Sequence, residues 1–278
     1  MGKNRNRRTD LAFPYIVWAV GFTVIPLFVI IRYAVLDDTG AFTLKNILAI
    51  VDPLNIKALI FSLEIALGCT LICILLAYPL VMALRKLNFG SRRSTIFLLI
   101  LPMWMNFILK LLAWQMILSS NGILNLLLNK LGFNSVNIAN TFGSIMIGVV
   151  YDYLPYMVLP IYDAVSAIDD DIIEAAEDLG AKKFTVFKKI IFPLSLPGLM
   201  SGVTMVFVPS MTSFVTADIL GGGKLQLVGN IIEQEFINSM NWNLGAGLSV
   251  ALMIFVLISM AFTVEREPDE NGQEEAAW

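Results

Sequence analysis

The residue types that carry most enzyme chemistry are scarce in this chain. It has 278 residues and no histidine, so the commonest metal ligand and general base is absent. Cys69 and Cys73 lie one helical turn apart in an apolar run. That setting suits thiols packed against a neighbouring helix better than a metal site or a disulfide. Gly221-Gly222-Gly223-Lys224 invites comparison with a phosphate-binding loop. It lacks the leading glycine and the trailing Ser/Thr of that device, and a flexible turn accounts for it. No catalytic constellation, no metal site and no cofactor on this chain are expected.

The unusual charges are acids inside apolar stretches. Glu64 is one and Asp152, beside Tyr151, Tyr153 and Tyr156, is another; Asp218 stands just past the external end of a third stretch. An ionisable group at membrane depth is costly and faces a cavity or a polar partner. Acidic and aromatic surfaces together suit a passing ammonium group. The plainer reading of Asp152 is a local pair with a neighbouring helix. Lys110 and Arg32, toward the ends of their stretches, are expected to snorkel to the interface.

The elements that must position these residues are membrane helices. The chain is 57% hydrophobic and 15% charged, against roughly 25% charged in soluble domains. Six apolar stretches stand out, at about residues 11–36, 57–84, 95–118, 142–163, 198–217 and 244–264. Each matches the roughly 20 helical residues that cross a hydrocarbon core. Backbone polar groups in lipid must be satisfied within the segment, so the expected fold is all-α with six transmembrane helices. Pro14, Pro26, Pro79, Pro102, Pro155, Pro160 and Pro209 then read as kinks. The first stretch is too long for a signal-peptide core and is kept as an anchor.

Basic residues set the orientation. Lys3, Arg5, Arg7 and Arg8 precede the first stretch, Arg85, Lys86, Arg92 and Arg93 follow the second, and Lys182, Lys183, Lys188 and Lys189 follow the fourth. The alternate loops carry Lys45, Lys130 and Lys224. The positive-inside rule places both termini in the cytoplasm. The expected organisation is a basic cytoplasmic N-terminus at 1–10, a six-span domain at 11–264, and an acidic, disordered cytoplasmic tail at 265–278. The net charge of −3 gives no reason to expect a nucleic-acid partner.

The loop at about 164–197 is the most informative segment. Asp169, Asp170 and Asp171 can cap a short helix, Ile172, Ile173, Ala176 and Leu179 give it apolar positions, and Gly180 is placed to end it. A second helix follows with Phe184, Phe187, Ile190 and Ile191 on its apolar side, and Pro193 and Pro197 break it. By its physics alone this is an interfacial amphipathic hairpin, with or without a partner.

Glu174-Ala175-Ala176, then Gly180-Ala181, Phe187, Ile190, Pro193 and Pro197, resemble the EAA loop of ABC importer permeases. Further segments resemble the first permease subunits of spermidine/putrescine importers. They include Leu76-Ala77-Tyr78-Pro79, Pro102-Met103-Trp104-Met105-Asn106, Tyr153-Leu154-Pro155-Tyr156-Met157 and Gly229-Asn230. The resemblance implies a type I ABC importer permease fold in a bacterial inner membrane. It assigns ATPase coupling to Glu174, Ala175, Ala176, Asp178, Gly180 and Ala181. It implies a second, homologous permease, two cytoplasmic ATPase subunits that bind ATP and magnesium, an external solute-binding protein, and membrane lipid around the helices. Residues 231–239 with Trp242 are a candidate dock for that binding protein. For a polyamine, the candidate path residues are Glu64, Asp152, Tyr153, Tyr156 and Asp218. The alternatives are an ABC importer permease for another small solute, or a self-sufficient secondary transporter.

Overall fold

The computed structural model describes residues 14, 15, 17–37, 39–87, 97 and 100–264. The basic residues at 3–8, 92 and 93, the start of the third apolar stretch and the acidic tail lie outside the described residues. Among the described residues the chain is helical, with a lone bridge between Leu36 and Phe42. The main helices are α1 (Val17–Ala34), α2 (Pro53–Leu87), α3 (Phe107–Leu118), α4 (Ile123–Lys130), α5 (Phe142–Ser166), α6 (Asp170–Asp178), α7 (Lys183–Leu194), α8 (Leu196–Met211), α9 (Phe214–Gly221), α10 (Val228–Ile237) and α11 (Trp242–Val264). Among the described residues five stretches are long and apolar enough to cross a membrane, and a sixth is if α7 and α8, bent by 67°, count as one.

Two expected spans change their bounds. The third does not run as one helix: Leu101–Trp104 is a 3-10 turn and α3 starts at Phe107. Pro102 suits the start of that turn, and the Asn106 side chain caps α3 by accepting from the Leu109 N–H at 3.1 Å. Span length is reached only when α3 and α4 are taken together, across a break at 119–122. The fifth span ends at Met211, and 214–217 belong to the separate helix α9.

The described chain divides into two compact units, Met1–Lys57 with Ile231–Leu257 and Ala58–Asn230 with Ile258–Trp278. In the first, Ala34, Ala246 and Val250 form a small core with Ile30, Ile47 and Phe236 against them. In the second, the core follows a stripe spaced by four residues. Ile65, Cys69, Cys73, Ala77 and Val81 of α2 are fully buried, as are Ile145, Val149, Met157, Ile161 and Val165 of α5. Residues four apart share one helix face, so each helix offers the other a continuous ridge. Cys69 and Cys73 lie on that ridge with their sulfurs 3.9 Å apart and unlinked.

Small residues bring α5 and α8 together. A Cβ at Gly198 would sit 2.4 Å from the Pro160 carbonyl oxygen and 2.6 Å from the Ala164 methyl. One at Gly202 would meet the Met157 sulfur at 2.8 Å. In lipid, helices associate through such close packing rather than through water exclusion.

Candidate functional site

The short helix α6 is defined at both ends by local chemistry. The Asp169 carboxylate accepts from the Asp171 N–H at 3.2 Å, and Asp170 and Asp171 stand in the first turn, where negative charge meets the positive end of the helix. At the other end Gly180 takes a φ of 82°. The Gly180 N–H bonds the Glu177 carbonyl at 2.8 Å and the Ala181 N–H bonds the Ala176 carbonyl at 3.0 Å. This paired closure is the Schellman motif, and the left-handed residue within it favours glycine.

The helix has two faces. Ile173 and Ala176 lie against the core of the second unit, together with Ala181, Phe187 and Ile190. Glu174, Ala175 and Asp178 are exposed, beside Ile172 and a Leu179 that is 90% exposed. The six candidate coupling residues are thus adjacent but not equivalent: three face outward, while Ala176, Gly180 and Ala181 make the inner contact and the turn. Phe184, expected on the apolar side of the second helix, is instead 74% exposed. It lies one turn before Phe187, at the start of α7, and does not join the core that Phe187 packs against.

The bend between α7 and α8 falls at Ser195, which is fully buried. Its hydroxyl pairs with the Tyr78 hydroxyl of α2 at 3.0 Å and donates to the Phe192 carbonyl at 3.1 Å. The Tyr78 ring meets Phe187 edge-on at 5.5 Å and Phe192 at 5.7 Å. Near the end of α2, the Arg85 guanidinium donates to the Val165 and Ile168 carbonyls, each at 3.0 Å, and pairs with Asp170.

The intramembrane acids do not form one cluster. Asp152 is buried and its Oδ1 accepts from Lys110 Nζ at 2.7 Å. Its Oδ2 is buried without a hydrogen-bond partner among the described residues. The Lys110 ammonium lies 5.8 Å from the Tyr151 ring centre and 5.9 Å from that of Phe107. Lys110 therefore does not snorkel: only 8% of it is exposed, and its charge is met by Asp152 and two aromatic faces. Tyr153 bonds the Ser213 hydroxyl at 2.8 Å, and its ring lies 6.0 Å from that of Tyr156, tilted by 50°; Tyr156 is itself exposed. Glu64 is exposed on α2, and Asp218 is exposed and accepts from Asn230 at 2.8 Å.

Sequence reasoning singled out the acids but missed Lys110, Arg85, Tyr78 and Ser195 as their counterparts or as joints. A lysine deep in an apolar helix signals a buried acid nearby. Nothing local marks Tyr78 or Ser195.

The membrane helices, the broken fifth span and the capped loop helix define a transport permease. The chain belongs to the family of binding-protein-dependent transport system inner membrane components, whose model matches residues 69–266. It is a multi-pass inner-membrane protein and the permease subunit of an ABC importer. Its relatives include the spermidine/putrescine transport system permease protein PotB of Escherichia coli K12, 39% identical over 85% of this chain and 89% of that one. PotB of Haemophilus influenzae is 35% identical over 87% of each chain. Among solved structures, a bacterial ABC transporter that imports the acidic polysaccharide alginate matches with a TM-score of 0.74 at 14% identity, over 96% of this chain and 98% of that one. At that identity the match speaks for the fold.

Proposed function

We propose that this permease imports polyamines, with α6 as the element that couples it to a separate ATPase. The observation that carries the coupling reading is the construction of α6. It is a short helix capped at both ends, braced on its inner face, that presents Glu174, Ala175, Asp178 and Leu179 outward. Such a helix can seat in a groove of a partner and move as a body. In this reading two cytoplasmic ATPase subunits hold ATP and magnesium, both termini are cytoplasmic, and a second permease completes the pathway. An external binding protein delivers the solute. That partner is supported by a related fold, solved as an alginate transporter in complex with a periplasmic protein bound to an alginate pentasaccharide.

The polyamine reading rests on the names of the relatives and on the acids. Asp152 is already occupied by Lys110, so a passing ammonium must compete for it or use its free Oδ2. The exposed Glu64, Tyr156 and Asp218 are the more available contacts along a path that also includes Tyr153. The deciding experiment is uptake of radiolabelled spermidine into vesicles that hold the assembled importer. ATP-dependent accumulation, blocked by excess putrescine but not by alginate oligosaccharide, is the expected result. No accumulation of either polyamine refutes the cargo, and accumulation without an ATPase subunit refutes the coupling.

A further inference from the structure

The guanidinium of Arg85 joins three points on two other elements. It donates from Nη1 to the Val165 carbonyl in the last turn of α5, from Nη2 to the Ile168 carbonyl between α5 and α6, and it pairs with Asp170 in the first turn of α6. Carbonyls at a helix C-terminus lack intrahelical partners and carry the negative end of its dipole, so a cation is favoured there. Only 17% of the Arg85 side chain is exposed, against 80% for Asp170. The anchor is therefore the charge-assisted pair of carbonyl bonds, because an ion pair with so exposed a partner adds little.

Packing around this contact is open. A groove of about 350 Å³, lined by Met82, Arg85, Ile173, Glu177, Val186 and Ile191 among others, lies beside the junction. Across that groove the arginine links α6 to the end of α2, beside the contacts that Met82 and Ile173 each make with the common core. Sidedness explains a positive charge at position 85, but a lysine would serve it equally well. The planar fork that reaches two carbonyls at once is particular to arginine.

We infer that Arg85 is a positioning residue for energy coupling: it straps the end of α2 to the α5–α6 junction, so that displacement of α6 is delivered to α2. The inference rests on the coupling role proposed for α6.

The test uses the assembled importer in vesicles and reads ATP hydrolysed per spermidine imported, after hydrolysis by the ATPase in permease-free vesicles is subtracted and at matched amounts of assembled permease. It is paired with amide hydrogen exchange over residues 170–181 and, as a control for global unfolding, over 196–211. Arg85→Lys keeps the charge and loses the fork; Arg85→Gln keeps one donor group. Both are expected to raise the ratio about threefold or more and to speed exchange over 170–181 alone. Asp170→Asn, which leaves the carbonyl bonds in place, should change either readout by less than about twofold. A wild-type ratio in both Arg85 variants overturns the strap even if local exchange quickens, because the contact is then an anchor without a part in coupling. Gly180→Pro tests the underlying reading separately. If it imports spermidine at the wild-type ratio, the coupling role of α6 fails and the strap with it. If it raises the ratio while the Arg85 variants do not, the strap alone fails.

Discussion

Lys110 and Asp152 carry the largest single electrostatic commitment among the described residues of the membrane helices. Both are more than nine-tenths buried, and each is the other's counter-charge. Removing one partner of such a pair leaves a charge in a medium that cannot solvate it, at a cost of about 3–5 kcal/mol. Replacing both with neutral groups is much cheaper. Lys110→Met alone should therefore lower the thermal midpoint of the detergent-solubilised protein sharply, and Asp152→Asn alone less so, since the amide can still accept from Lys110. Lys110→Met with Asp152→Asn should recover most of the loss. A double variant no more stable than Lys110→Met would mean the two charges do not depend on each other. Tyr78→Phe removes a smaller contact. Ser195 keeps its bond to the Phe192 carbonyl, so the loss is about 1 kcal/mol and should appear as a small drop in the same midpoint.

The elements are joined at points where backbone geometry matters more than side-chain chemistry. Gly180 ends α6 with a φ that proline cannot adopt, and its N–H bonds the Glu177 carbonyl. Gly180→Pro should leave membrane insertion intact and redirect α6. The expected outcome is continued ATP hydrolysis with transport reduced by about tenfold, a loss of order 1.4 kcal/mol in coupling. Gly198 poses a different constraint, since even a methyl there meets the Pro160 carbonyl at 2.4 Å. Gly198→Leu should force α5 and α8 apart at a cost of about 1–3 kcal/mol or more. Immunoblotting of membrane fractions should show reduced steady-state protein; wild-type levels would show that the crossing yields easily.

At the scale of the molecule, the basic loops that alternate with nearly uncharged ones in the sequence predict the orientation. Cytoplasmic reporters fused at the N-terminus and after Val264 should both be active, and a cysteine placed in the loop at 131–137 should react with an impermeant thiol reagent from outside. An external signal at either terminus would remove the six-span arrangement. The native Cys69 and Cys73 are buried and should give little background in that labelling.

Much of this was legible in the sequence because it is local. Apolar length signals a span, and the run from Asp169 to Ala181 encodes a capped helix and its left-handed stop within thirteen consecutive positions. The stripe at Ile65, Cys69, Cys73, Ala77 and Val81 is likewise a matter of period. Span bounds were less legible: the break after Met211 and the cap at Asn106 interrupt runs that composition alone leaves continuous. What the tertiary structure decided are the pairings between distant parts of the chain. Lys110 meets Asp152 across 42 positions, Arg85 meets Val165 across 80, and Tyr78 meets Ser195 across 117. A helix period says which face a residue occupies but not which helix that face meets. That is settled when the spans pack, by where glycines admit close approach and where a buried charge finds its counter-charge.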